Sequence, residues 1–112
     1  MGDKWKTIEG FDKYMVSCDG KVLSYQHKKT IILKPQHDSM GYVHYRLYND
    51  EGIKLYKGHR LVMETFTEQI EGKPVINHIN GIKDDNRLEN LEWTTQSDNM
   101  SHYHKLKRER NE

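Results

Sequence analysis

The residues whose types and spacing could do chemistry lie in the last third of the chain. Asn77 and His78 stand together in the run Val75-Ile-Asn-His-Ile79, and a polar loop dense in Asn and Asp follows from Lys83 to Asn90. Asn99 and His102 come next, on a stretch that reads as a helix, where a spacing of three puts them on one face. Histidine is the side chain whose ordinary pKa lets it take or give a proton near neutral pH. Packing efficiency does not call for a loop loaded with Asn and Asp, so its polar groups are wanted there. Basic segments lie elsewhere. From Lys21 to His37 there are four lysines (Lys21, Lys28, Lys29, Lys34) and no acid, and the C-terminal HKLKRERNE carries four cations against two acids. Such local charge can neutralise phosphates even though the net charge is only +1.

The elements that must position these groups are short. Asp19-Gly20, between Tyr14–Cys18 and Lys21–Tyr25, is a hairpin signal. The apolar run Ile31–Leu33 stops at Pro35. Gly41–Tyr48 alternates as a strand does, Asn49-Asp-Glu-Gly52 turns, and Ile53–Tyr56 returns. These strands read as one small antiparallel sheet rich in tyrosine. His59 to Thr67 then places Leu61, Val62, Thr65 and Phe66 at helical spacing, which predicts a short linking helix packed on the sheet, broken at Gly72-Lys-Pro74. In the last third, Val75–Ile79 and Leu91–Thr94 read as strands, Asn80-Gly81 as a type I′ turn, and Lys83–Asn90 as a loop with room for one helical turn. Thr95-Gln-Ser-Asp98 resembles a capping box, with Thr95 as N-cap of a helix from Gln96 to about Lys107.

Bulk properties bound the answer. With 112 residues, 34% apolar and 31% charged, the chain fits one domain or two very small ones around a thin core. Seven tyrosines and two tryptophans partly compensate, and Trp5 and Trp93 are expected in the core. The single cysteine, Cys18, excludes an internal disulfide and any multi-cysteine zinc site, and suits a reducing, cytoplasmic compartment. No run reaches membrane-spanning length, and MGDKWK lacks the apolar stretch of a signal peptide. His27, His37 and His44 have no motif around them and read as surface residues.

The stretch from Lys73 to His102 closely resembles the HNH (ββα-metal) motif of phage and homing-type endonucleases, and Gly58-His-Arg-Leu-Val-Met-Glu-Thr-Phe66 resembles the helix that introduces it. Trp5–Phe11 and Tyr14–Ser24 are similar to the small NUMOD4 module often found ahead of this nuclease. The resemblance implies an α+β fold, with an antiparallel β module over residues 1–57 and a nuclease unit with a basic C-terminal helix over 58–112. It implies a DNA endonuclease that hydrolyses phosphodiester bonds with one divalent cation, Mg2+ or Mn2+, with Ni2+ or Zn2+ as further options. His78 corresponds to the general base and Asn90 to the residue that fixes its imidazole. Asn77 and Asn99 correspond to metal ligands, and His102 is a further candidate, whose nitrogen would favour Mn2+, Ni2+ or Zn2+. Many members carry Asp at the position of Asn77. Asn offers a neutral but still hard oxygen.

The expected partner is double-stranded DNA, contacted by Lys28, Lys29, His59, Arg60, Lys105, Lys107 and Arg108. Because the chain stops soon after the nuclease helix, limited sequence discrimination is expected, with phage packaging or other targeting proteins as further partners. A monomer would nick and a homodimer would cut both strands. The alternative is a catalytically inactive DNA-binding module on the same fold.

Overall fold

The computed structural model describes residues 4–25 and 29–110. Within them the chain runs β1 (Trp5–Ile8), β2 (Phe11–Ser17), β3 (Val22–Ser24), β4 (Ile31–Ile32), β5 (Gln36–His37), β6 (Val43–Asn49), β7 (Gly52–Lys57), α1 (Gly58–Phe66), β8 (Val75–His78), a 3-10 turn (Leu88–Asn90), β9 (Leu91–Thr94) and α2 (Gln96–Arg110). The architecture is α+β, as expected. The expected single sheet is two: β1-β2-β3-β4 and β5-β6-β7, both antiparallel. Proline explains the division. Pro35 has no N–H to continue a ladder, so the run ending at Ile32 closes the first sheet and Gln36 opens the second. The strand β1 escapes a reading by pattern because Lys6 and Thr7 are exposed and only Ile8 is fully buried.

Strand alternation builds one core. Val43, Tyr45 and Leu47 of β6 and Phe11, Tyr14 and Val16 of β2 turn inward to meet Leu61, Val62 and Met63 of α1. Ile76, Leu91 and Trp93 join the same cluster, so α1 packs on both halves of the chain. The Tyr14 hydroxyl accepts the Tyr48 amide at 3.2 Å and ties the two sheets together. Trp93 donates through Nε1 to Thr67 Oγ1 at 2.9 Å, fastening the end of α1 to β9. The Asp98 amide donates to Thr95 Oγ1 at 3.0 Å, so Thr95 caps α2 as its sequence predicts. Among the described residues no helix is long and apolar enough to cross a membrane.

The hairpin between β2 and β3 has a three-residue connection, closed by Ser17 N–H to Lys21 O at 2.9 Å, with Gly20 at φ +88°. This turn packs against β6 and against the segment that leads into the 3-10 turn. The Leu88 amide donates to Cys18 O at 2.7 Å, the Tyr45 hydroxyl donates to Gly20 O at 3.3 Å, and a Cβ on Gly20 would stand 3.0 Å from Cβ of Asn86.

His59, expected to approach the site or a phosphate, stands beside His78 with ring centroids 5.3 Å apart, but it is interior, only 9% exposed at the start of α1, and does not face DNA. Burial, then the neighbouring His78, Lys57 and Arg60, push its pKa from 6.5 down to about 3. It therefore stays neutral and packs as an aromatic ring rather than serving as a cation.

Two outcomes test this packing. Unfolded His59 binds a proton below about pH 6.5 and folded His59 only below about pH 3, so its contribution is complete above the first value and lost as pH falls towards the second. In urea titrations, His59→Phe should flatten the loss of stability across this window by up to about 1.4 kcal/mol per pH unit; an unchanged slope places the titration elsewhere. Gly20→Ala should cost about 1–3 kcal/mol. Gly10→Ala, at φ +83° with nothing within 4 Å of its Cβ, should cost less, since it adds strain without a clash.

Candidate active site

The strands β8 and β9 pair with Asn77 opposite Glu92 and His78 opposite Leu91. Neighbours on a flat strand point to opposite faces, which would separate Asn77 from His78. The strand ends at His78, however, where a turn closes with Gly81 N–H to His78 O at 2.9 Å. Both side chains are buried, and both line one groove of about 370 Å³ together with Tyr42, Lys83, Asn99 and His102. The four residues expected to form the base and the metal site from β8 and α2 are thus brought together.

The loop that follows is held by amides instead of apolar packing. Asn80 Nδ2 donates to Asp85 Oδ2 at 2.8 Å, and Asn80 Oδ1 accepts the Ile82 amide at 2.9 Å. Asn90 Nδ2 donates to Asn80 Oδ1 at 3.0 Å and to Asp85 O at 2.9 Å, while its Oδ1 accepts the Asn80 amide at 3.0 Å. Arg87 grips Asp85 at 2.8 Å and Glu89 at 2.7 Å. Asp85 and Glu89 are therefore both tied into the loop's network through Arg87. The Asn80-Gly81 pair is not a type I′ turn: only Gly81 has positive φ, and the turn spans His78 to Gly81.

The product of this network is the placement of Asn86. Its Oδ1 lies 2.8 Å from His78 Nε2, and the residue is 5% exposed. This corrects the expectation for Asn90, whose amide is engaged with Asn80 and Asp85 and steadies the loop that carries Asn86. An amide oxygen accepts, so His78 Nε2 carries the proton and Nδ1 keeps the lone pair. Burial lowers the His78 pKa; the Asn86 hydrogen bond, Asp85 and Asp84 offset it, and Lys83 lowers it further. The imidazole therefore remains neutral to a lower pH than usual.

Four residues at the site escaped the sequence reading. Asn86 was one of several amides in a loop already marked by its polar density. Tyr42 tilts against His59 and His78 with ring centroids 5.7 and 6.0 Å away. Lys57 and Lys83 place their ammonium groups 5.1 Å from the Tyr42 centroid, so two cations flank the groove's aromatic wall. No local pattern pointed to Tyr42, which sits 36 residues before His78 in the numbering and reaches it only through the fold.

The donor chemistry suits a divalent cation. Among the described residues no group of three or more His, Cys, Asp or Glu could hold a metal, so a cation bound here would have to draw on amide oxygens. Asn77 Nδ2 donates to Glu92 Oε1 at 2.8 Å, which leaves Asn77 Oδ1 as its free donor atom. His102 Nε2 donates to Ile79 O at 2.7 Å, which leaves the Nδ1 lone pair; metal-binding histidines commonly donate their other N–H in this way. Hard amide oxygens alone would suit Mg2+ or Mn2+, and an imidazole among them would shift the preference towards Mn2+, Ni2+ or Zn2+.

The expected DNA contacts divide. Lys105, Lys107 and Arg108 are exposed on α2, and Lys29 is exposed before β4. Lys28 lies outside the described residues. Arg60 is taken up by Glu64 at 3.4 Å, by Pro74 O at 3.1 Å and by the Trp93 ring at 6.0 Å, and so braces α1 against the β8-β9 pair.

The HNH endonuclease family profile matches residues 56–101, and the NUMOD4 motif profile matches residues 3–48. An uncharacterized HNH endonuclease of Acanthamoeba polyphaga mimivirus is 46% identical over 88% of this chain and 25% of its own length. The DNA endonuclease I-HmuI of Bacillus phage SP01 is 39% identical over 87% of this chain and 55% of its own. A solved structure describing DNA binding and cleavage by the HNH homing endonuclease I-HmuI superposes with a TM-score of 0.80 at 36% identity, over 91% of this chain and 58% of that one. The chain thus spans from a quarter to little more than half of these relatives. With both motifs matched in order along the chain, it belongs to the HNH endonuclease family, with a NUMOD4 motif ahead of its nuclease motif.

Proposed function

We propose that this chain is a metal-dependent DNA endonuclease that hydrolyses phosphodiester bonds with His78 as general base. The observation that carries the reading is a buried imidazole held by Asn86 through Nε2, beside Asn77 and Asn99 in one groove. In this reading His78 Nδ1 takes the proton of the attacking water. Asn86 holds the tautomer, and Asn90 holds the loop behind it. Asn77, Asn99 and His102 would hold one Mg2+ or Mn2+ ion, which when bound polarises the phosphate and neutralises the leaving oxygen. Lys57 and Lys83, on either side of Tyr42, suit the phosphates of a double-stranded substrate, and Lys105, Lys107 and Arg108 extend this positive surface along α2.

Nicking of supercoiled plasmid tests the proposal. Wild type should cut with Mg2+ or Mn2+. His78→Ala should lose about 10²–10⁴-fold in rate while keeping salt-dependent DNA binding. Wild type that binds DNA but never cuts with Mg2+, Mn2+ or Ni2+ would move the chain to the inactive DNA-binding module. The pH profile adds a second check. Protonated His78 cannot act as base, so kcat/KM should rise with pH and level off, with its midpoint below about 6.5 because burial lowers the pKa. Asn86→Asp adds an anion beside the ring and should move the midpoint upward, whereas Asn86→Ala removes a pKa-raising bond and should move it downward.

A further inference from the structure

We infer that Glu92 is the positioning residue that makes Asn77 a metal ligand, and that the Asn77–Glu92 pair supplies the negative charge a lone aspartate would bring. The inference rests on the metal site of the preceding section and goes beyond it, to a residue outside the groove. Asn77 and Glu92 are register partners on β8 and β9, so their side chains lie side by side on one face. Asn77 is 7% exposed and lines the groove, whereas Glu92 is exposed and stands outside the groove's lining. The bond between them, Asn77 Nδ2 to Glu92 Oε1 at 2.8 Å, is charge-assisted.

An asparagine amide ordinarily presents either its oxygen or its nitrogen to a neighbour. Here the choice is made by chemistry. An ionised carboxylate only accepts hydrogen bonds, so the NH2 group must face Glu92. Turning the amide over would set oxygen against oxygen and present two N–H donors to a cation. Glu92 therefore commits Oδ1 as the ligand atom. It also polarises the amide, pulling positive charge towards Nδ2 and raising negative charge on Oδ1, the usual service of a carboxylate behind a metal ligand.

The same pair explains why Asn can stand at position 77. Aspartate there would put a second carboxylate at hydrogen-bonding distance from Glu92. The two positions are matched: Asn with Glu, or Asp with Gln, each carries one negative charge and one hydrogen bond, while Asp with Glu carries repulsion and no bond.

Mn2+ binding to the full chain, measured by the electron paramagnetic resonance signal of the free ion, tests this. The measurement uses the His78→Ala background and a short DNA duplex, so that the DNA stays intact. Glu92→Gln should weaken Mn2+ binding by about tenfold with little change in metal-free Tm. Asn77→Asp/Glu92→Gln should restore binding to at least the starting level, and Asn77→Asp alone should fall short of the double variant. Unchanged affinity in Glu92→Gln, even with a lower Tm, overturns the inference, as does a double variant no better than Glu92→Gln or no better than Asn77→Asp. If the starting protein takes up no Mn2+ at all, the metal site itself is wrong and the inference falls with it.

Discussion

The hydrogen bond from His78 Nε2 to Asn86 Oδ1 is the point on which the rest of the structure converges. A histidine useful as a base must be neutral, in one tautomer and aimed. Burial on β8 supplies the first, and the Asn86 oxygen supplies the other two. Asn86 itself has no regular element to hold it. It is reached by a loop closed through Asn80, Asp85, Arg87 and Asn90, and it is clamped between the two halves of the chain. A Cβ on Gly58 would come 2.7 Å from Asn86 Nδ2, and one on Gly20 would come 3.0 Å from Asn86 Cβ. Two glycines from separate elements leave the space that the imidazole's partner occupies. The N-terminal hairpin is thereby part of the architecture that orients His78, and not merely an appended module.

This arrangement suits a chain too polar to build a large core. The apolar cluster is shared among both sheets, α1 and the β8-β9 pair, so no part has an independent interior. The loop between β8 and β9 compensates by satisfying its amides internally. Buried amides that are all paired specify one conformation, where a loose apolar loop would specify several. The histidine pair follows the same economy. His59 and His78 lie 5.3 Å apart, edge to face, close to Lys57 and Lys83. Burial lowers the pKa of both and His78 further disfavours a positive charge on His59, so the packing that stabilises the site also favours neutral imidazoles.

Charge is placed around the groove more than within it. The groove itself holds amides and imidazoles. Anionic charge stands behind β8 at Glu92 and in the loop at Asp85, while cationic charge stands at Lys57, Lys83 and along α2. A polyanion approaching such a surface meets cations first and neutral donors next. In the proposed function the substrate phosphate adds its own charge to that which Glu92 places behind Asn77.

Local chemistry made much of this legible in the sequence. Alternation located β6, the Thr95 hydroxyl located the start of α2, and β8, β9 and α2 carried Asn77, His78, Asn99 and His102 to one groove. These are properties of a few neighbouring residues, and a spacing along a strand or helix becomes a direction in space. The remainder depended on residues far apart in the chain. Which of several amides in one loop meets His78 is decided by how the loop closes, and closure selected Asn86 while Asn90 became a brace. Whether His59 and Arg60 face DNA or the interior is decided by what packs over α1, and the packing enclosed His59 and engaged Arg60 with Pro74 and Trp93. Burial and the choice among equivalent hydrogen-bond partners are collective outcomes of the folded chain, so only the tertiary structure could decide them.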